Sequence, residues 1–140
     1  MMNLLDTILD SNPVGLLATL NNEKWPSMRW MTVGLVRGQE GRVYSLAAMN
    51  SEKVSHVNQN NKVSWMFNDK SKNKVIHAYG EAHVLTSPDM ISTVIEALGQ
   101  NLTQFWKVHP DPSELAVIET KIHMIDLFDT TSGTHTQEKI

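Results

Sequence analysis

The chain has 140 residues, of which 41% are hydrophobic and 19% are charged, and its formal net charge is -3. This length fits one domain with a single continuous core. The composition excludes a largely disordered chain, and the weak net charge gives no sign of the basic surface that binds nucleic acid. Because the chain contains no cysteine, disulfides, zinc-thiolate sites and cysteine nucleophiles are excluded, and any redox chemistry requires a cofactor.

The N-terminal stretch "MMNLLDTILDSNPVG" carries acidic residues and no basic segment ahead of a long apolar run. It therefore predicts neither a signal peptide nor a transmembrane helix. Since the lack of cysteine is compatible with a reducing compartment, we expect a cytoplasmic protein that does not bind a membrane.

The first part of the chain predicts a short helix, three strands and a second helix. Apolar residues within 3–9 recur at helical spacing, and Asn12-Pro13 ends this helix. The second helix is predicted to begin at Ser51. The three strands between the helices are predicted from β-branched and apolar residues over 14–20, 27–37 and 42–49.

The second part of the chain predicts three further strands and one more helix. Ser87 and Pro88 are typical of a helix N-terminus, and the apolar face that follows them ends at Gly99. Gly80 lies within a strand, where it permits a bend or a close approach of another backbone. A proline-rich loop over 109–114 and a fraying tail after Asp129 are also predicted. The strands are predicted over 62–67, 75–85 and 115–128.

Six strands joined mainly by hairpins, with short helices inserted, favour an antiparallel barrel over repeated βαβ units. We therefore predict a mainly β protein, a six-stranded antiparallel split β-barrel that forms one domain over 1–140.

Ser51 and Lys53 lie at the predicted start of the second helix. The first N–H groups of a helix lack partners within it and carry the positive end of its dipole, so a hydroxyl and an ammonium group there suit an anion such as a phosphate. The alternative is that Ser51 only caps the helix, while Glu52 and Lys53 are solvated in its first turn.

Arg29 interrupts a predicted apolar strand, on the same face as Met31, Val33 and Leu35. A buried arginine requires an anion, so this residue is a second candidate for phosphate binding. An ion pair with an acidic neighbour, or exposure at a strand end beside Pro26, explains it equally well.

Three stretches of the chain together resemble the FMN-binding split β-barrel family of pyridoxamine 5′-phosphate oxidase and its smaller, general-stress-protein relatives. They are "PSMRWMTVGL", "RVYSLAAMNSEKVSHVNQNNKVSWMF" and "GEAHVL", and the later "FWKVHPDPSELAVIETKIHMIDLFD" extends the resemblance over nearly the full length. The resemblance implies that Arg29 and Lys53 hold the phosphate of FMN, with Ser51 assisting at the helix start. It also implies that Trp30, Met31 and Thr32 offer backbone and side chains along the flavin ring, while Leu46 and Ala47 line the neighbouring strand.

Trp106 follows a helical segment and has two interpretations, packing in the core or covering the flavin across a dimer contact. The resemblance implies a homodimer with the flavin at its interface.

The chain departs from the larger oxidases of this family at two places. They carry an arginine immediately before the lysine of the phosphate turn, where this chain has Glu52. They also end in an arginine-rich segment that binds the substrate phosphate, whereas this chain ends in "DLFDTTSGTHTQEKI". We therefore expect FMN binding without true pyridoxamine 5′-phosphate oxidase activity.

Other site classes find little support in the sequence. The six histidines show no close metal-ligand spacing, so we expect no metal site, and neither a nucleophile elbow nor a glycine-rich nucleotide loop is present. The favoured function is an FMN-dependent oxidoreductase with an unknown substrate. The alternatives are a non-catalytic binding module or sensor for FMN, haem or a deazaflavin, and a barrel that has lost its cofactor and serves as an interaction protein.

Overall fold

A computed structural model describes residues 1–109 and 114–140, so most of the predicted proline-rich loop lies outside the described residues. None of the helices within this range combines the length and apolar character needed to cross a membrane. The helices are α1 (Met2–Ser11), α2 (Glu52–Gln59), α3 (Pro88–Leu98) and α4 (Thr103–Val108), with a 3₁₀ turn at Gly99–Leu102. The strands are β1 (Val14–Leu20), β2 (Pro26–Thr32), β3 (Arg42–Ala48), β4 (Lys62–Asn68), β5 (Lys74–Leu85), β6 (Leu115–Asp129) and β7 (Thr134–Lys139).

The strands form one antiparallel sheet in the order β2-β1-β4-β5-β6-β3. β6 is long enough to pair with two strands along one edge, with β3 over 115–121 and with β7 over 124–129. Its other edge pairs with β5. β2 and β3 therefore lie at the two ends of the sheet, and bending the sheet brings them towards each other.

The sheet does not close between β2 and β3. Among the described residues, the only backbone pairing near this gap is an isolated bridge between β3 and Gly34, which follows the end of β2. The Gly34 N–H donates to the Tyr44 carbonyl oxygen at 3.0 Å, and the Tyr44 N–H donates to the Gly34 carbonyl oxygen at 2.8 Å. The predicted split β-barrel is confirmed, with seven strands instead of six.

The seventh strand corrects the prediction that the tail frays. β7 is polar and exposed along its whole length, so neither burial nor hydrophobic alternation marks it in the sequence. Its backbone pairs with the second half of β6, which β3 leaves free. Hydrogen bonding to an available strand edge explains why a polar segment is ordered here.

β2 is shorter than the strand predicted over 27–37. It ends at Thr32 because its partner β1 begins at Val14, and the last pairing is from the Val33 N–H to the Pro13 carbonyl at 3.0 Å. The chain then leaves β1 and reaches β3 at Gly34.

Two clusters of buried side chains lie on opposite sides of β3 and β6. The first fills the barrel and contains Leu17, Val43, Trp65 and Ile118, while the second lies beneath α3 and α4 and contains Tyr44 and Leu46. The predicted start of α3 is confirmed, since Ser87 Oγ accepts a hydrogen bond from the Met90 N–H at 3.2 Å and Pro88 is the first helical residue.

Gly80 marks a β-bulge, as its position in the sequence suggested. The register between β5 and β6 shifts at Tyr79/Gly80, which leaves His123 as the additional residue of β6. A Cβ atom at Gly80 would collide with the backbone carbonyl oxygen of Lys121. Glycine is therefore required by the close approach of the two strands at the bulge.

Candidate functional site

The split between β2 and β3 opens away from the Gly34–Tyr44 bridge, towards the place where β3 ends and α2 begins. A tight turn makes this connection, with the Ser51 N–H donating to the Ala48 carbonyl at 3.0 Å. The split thus combines two strand edges with the N-terminus of a helix whose dipole favours negative charge.

Arg29 lies on the inner face of β2 and is half-buried. Its Nη1 donates to Thr19 Oγ1 at 2.7 Å and to the Leu17 carbonyl oxygen at 3.2 Å. Its Nη2 donates to Ser27 Oγ at 3.0 Å. These neutral acceptors hold the guanidinium in place without neutralising its charge.

Lys53 lies in the first turn of α2 and is partly buried. Burial lowers its pKa below the ordinary value of 10.5, and the nearby positive charge of Arg29 lowers that pKa further. Burial likewise lowers the pKa of Arg29, an effect that the negative charge of Glu52 opposes. Within the described part of the chain, neither cation forms an ion pair with a carboxylate.

Two desolvated cations, of which Arg29 lowers the pKa of Lys53, make a site that favours an anion. The explanation of Arg29 as an ion pair with an acidic neighbour therefore finds no partner among residues 1–109 and 114–140. Glu52 is exposed and acts on Arg29 through its field alone. The residues present thus fit a phosphate group.

Ser51 does not cap α2 with its side chain. Its hydroxyl donates to the Ala48 carbonyl oxygen at 2.7 Å, and no side-chain hydrogen bond caps the helix. The simple capping interpretation is therefore wrong, and the first N–H groups of α2 remain available to a ligand. In this conformation the Ser51 hydroxyl hydrogen is already used, so its contact with an anion would require rotation about its side-chain bond.

The other candidates for lining the flavin do not share one face. Trp30 points outward and is 63% exposed, and Thr32 lies on the same face of β2, whereas Met31 lies on the opposite face and is buried in the barrel core. Ala47 also lies in the barrel core, while Leu46 points into the second cluster. Side-chain contact of all five with one ring is incompatible with this alternation, although the backbones of β2 and β3 border the split.

Trp106 packs at the second cluster, beside Phe105, with the two rings edge to face at a centroid distance of 5.3 Å. This is the packing role considered from the sequence. Leu46 belongs to the same cluster, so these two candidates lie together and apart from the barrel interior that Arg29 faces.

Sequence reasoning missed Thr19, Ser27 and His56, which complete the surroundings of Arg29. Thr19 is 1% exposed and its Oγ1 lies 2.9 Å from Nδ1 of His56, a buried residue of α2. The available signal was the position of Thr19 on the buried face of β1, two residues after Leu17. Among the described residues no cluster of histidine and acidic side chains could hold a metal ion.

A family model described as pyridoxamine 5′-phosphate oxidase matches residues 1–129. The chain belongs to this family. No curated protein matches the chain.

Solved structures with the same fold have low sequence identity to the chain. A protein related to general stress protein 26 from Clostridium acetobutylicum has 13% identity and a TM-score of 0.75, covering 99% of this chain and 94% of that one. A pyridoxamine 5′-phosphate oxidase-related, FMN-binding protein from Nostoc punctiforme has 11% identity and a TM-score of 0.69, with 99% and 95% covered. A haem-binding protein from Mycobacterium smegmatis has 18% identity and a TM-score of 0.74, with 96% and 55% covered.

Proposed function

We propose that this chain is an FMN-binding flavoprotein of the pyridoxamine 5′-phosphate oxidase-related type and that it acts as an oxidoreductase. The observation that carries the proposal is the pair of desolvated cations, Arg29 and Lys53, at the open end of the split. They would hold the phosphate of FMN, together with the uncapped N–H groups of α2. FMN, when bound, supplies two-electron transfer.

The chain's own residues bind and orient the cofactor in this proposal. The strand edges of β2 and β3 border the space beside the phosphate site, so backbone groups of Trp30 to Thr32 and of Leu46 and Ala47 are available to the ring. Met31 and Ala47 are buried within the barrel, which excludes water from the inner side of the split.

The proposal also includes a homodimer with the cofactor near its interface. Met28 and Trp30, which are 64% and 63% exposed, lie on the outer face of β2 next to Arg29. Cross-strand pairing places Leu16 beside Trp30 and Met66, so the apolar surface continues onto β1 and β4. A second copy covering this apolar surface, which soluble monomers rarely expose, would bring its own residues to the edge of the cofactor site.

Titration with FMN and riboflavin tests the phosphate site, because riboflavin has the same ring and lacks the phosphate. Arg29→Ala and Lys53→Ala should each weaken FMN binding by about one to two decades, from the loss of a charge-assisted hydrogen bond of roughly 1.5–3 kcal/mol. Riboflavin binding should change little. Arg37→Ala and Lys70→Ala, at exposed positions, are the matched controls.

If both alanine variants bind FMN as tightly as the parent, the phosphate assignment is wrong. The absorption spectrum of the purified protein distinguishes FMN from haem or a deazaflavin.

A cofactor carrier or sensor is the second candidate function. The titratable residues described near the phosphate site favour it. They are the two cations themselves, the exposed Glu52, and His56, whose Nδ1 is already hydrogen-bonded to Thr19. None of these is poised as a general acid or base for a substrate. Loss of the flavin colour on addition of a reduced nicotinamide would support the oxidoreductase, and a persistent colour would support the carrier.

A further inference from the structure

Arg29, Thr19 and His56 form a continuous hydrogen-bonded chain that connects β2, β1 and α2. Arg29 Nη1 lies 2.7 Å from Thr19 Oγ1, and the same oxygen lies 2.9 Å from His56 Nδ1. Thr19 and His56 are 1% and 7% exposed, so solvent contributes little to either contact.

The direction of each hydrogen bond follows from the donors and acceptors available. Arginine has only donors, so Thr19 Oγ1 accepts from Arg29. If His56 also donated to this oxygen, the buried hydroxyl hydrogen of Thr19 would have no acceptor among the described residues. A buried, unsatisfied donor is costly. Thr19 therefore donates to His56 Nδ1, and His56 is the neutral tautomer that carries its hydrogen on Nε2.

We propose that Thr19 and His56 are positioning residues that fix the Arg29 guanidinium for a phosphate and couple it to the helix that carries Lys53. His56 lies three residues after Lys53 on α2, so the hydrogen bonds through Thr19 Oγ1 connect Arg29 to the helix that carries Lys53. This inference rests on the proposed phosphate site. Thr19 and His56 make no contact with the ligand themselves.

The three hydrogen bonds of Arg29 explain how positioning works. The acceptors, Leu17, Thr19 and Ser27, are all neutral. They fix the plane of the guanidinium. Its other N–H groups, which have no acceptor among the described residues, remain for a ligand. Holding a long side chain in its bound geometry lowers the conformational entropy lost on binding.

Thr19→Val tests this role because valine keeps the shape of threonine and removes the hydroxyl. We expect about a tenfold loss of FMN affinity, the scale of one charge-assisted hydrogen bond, and less than about a twofold change for riboflavin. Thr19→Ser keeps the hydroxyl and should retain FMN binding. His56→Leu should reproduce the loss, whereas His56→Asn, whose side-chain oxygen can replace Nδ1 as the acceptor, should restore most of the affinity.

A double-mutant cycle separates positioning from general stability. In an Arg29→Ala background, Thr19→Val should cause no further loss of FMN affinity, because there is no guanidinium left to position. Nitrogen NMR of the cofactor-free protein should show His56 with Nδ1 unprotonated in the parent. This readout does not depend on cofactor binding.

Equal weakening of FMN and riboflavin by Thr19→Val would overturn the proposal, as would a full loss that persists in the Arg29→Ala background. Tighter FMN binding would also overturn it, since Thr19 would then compete with the phosphate for the guanidinium. The parent protein separates the two levels of inference. A parent without preference for FMN over riboflavin would overturn both the phosphate site and the positioning role, whereas preference in the parent with no effect of Thr19→Val overturns the positioning role alone.

Discussion

Raising the pH should weaken FMN binding as Lys53 loses its proton, and Lys53→Arg should remove that dependence. Burial and the charge of Arg29 lower the pKa of Lys53 from its ordinary value of 10.5. Below the lowered pKa the ammonium group is charged and can donate to the phosphate. Above it the neutral amine loses the charge-assisted interaction, so affinity falls as the pH rises through this range.

The size of the effect is that of one charge-assisted hydrogen bond in a partly buried site. An interaction of roughly 1.5–3 kcal/mol corresponds to about one to two decades in the dissociation constant. A bound phosphate also favours the charged form of Lys53, so its pKa should be higher in the complex than in the free protein. FMN binding should therefore take up protons within this pH range.

The assay is a titration of FMN and riboflavin at several pH values, from about pH 7 to about pH 10. Because FMN and riboflavin share the same ring, the effect of ring ionisation on affinity cancels in the ratio of their two affinities. Arginine remains protonated throughout this range, so Lys53→Arg should show a nearly constant ratio. A constant ratio in the parent, or an equal decline in the parent and in Lys53→Arg, would refute this account of Lys53.

The stability of the cofactor-free protein should show the opposite trend. Because the folded state lowers the pKa of Lys53, it binds fewer protons than the unfolded chain between the lowered value and 10.5. The free energy of unfolding contributed by this residue therefore increases with pH across that window. Denaturant unfolding of the parent and of Lys53→Arg would measure the difference.

Glu52→Arg should tighten FMN binding by about threefold to tenfold, because it replaces an exposed negative charge beside the phosphate site with a positive one, and the gain should shrink as salt is raised. Titration at two salt concentrations measures it; a salt-independent gain would contradict this explanation. Gly80→Ala should lower the free energy of unfolding by about 1–3 kcal/mol, since its Cβ would collide with the Lys121 carbonyl. Denaturant unfolding provides the check, and an unchanged midpoint would show that the bulge relaxes. Trp30→Glu should shift the sedimentation coefficient from dimer to monomer, whereas Val108→Glu, at an apolar residue that is 68% exposed on α4, should not. A parent that sediments as a monomer would contradict the proposed interface.

Elements with strong local signals could be predicted from the sequence. Ser87, Pro88 and Gly99 mark both ends of α3 by their chemistry alone, and the structure confirms them. Gly80 was likewise readable as a bend, although its collision with Lys121 involves a residue about forty positions later and became visible only in the fold.

Features that depend on distant parts of the chain could not be predicted. β7 has no apolar alternation, so its order follows from the free edge of β6 and not from its own residues. Arg29 could be predicted as a site residue because a cation on an apolar strand is unusual, and Lys53 because it follows Ser51 at a helix start. The contact between Thr19 and His56, in contrast, joins residues 37 positions apart. A polar side chain on a buried face indicates that a partner exists but does not identify it.

The position of β6 in the sheet has a consequence for how the protein folds. Residues 115–129 provide the only named strand partner that β3 has among the described residues, through pairs as distant as Arg42 with Lys121. During synthesis the strand edge of β3 must therefore remain without this partner until the ribosome has released β6, because no nearer strand substitutes for it. Pairing β3 with β6 closes the large loop of chain between them, and such a closure is slow because its entropy cost comes before the pairing contacts form. We therefore expect the docking of β6 to limit the rate of folding. A nascent chain that stalls before β6 would expose the β3 edge to pairing with other chains, which makes this the stage most vulnerable to aggregation.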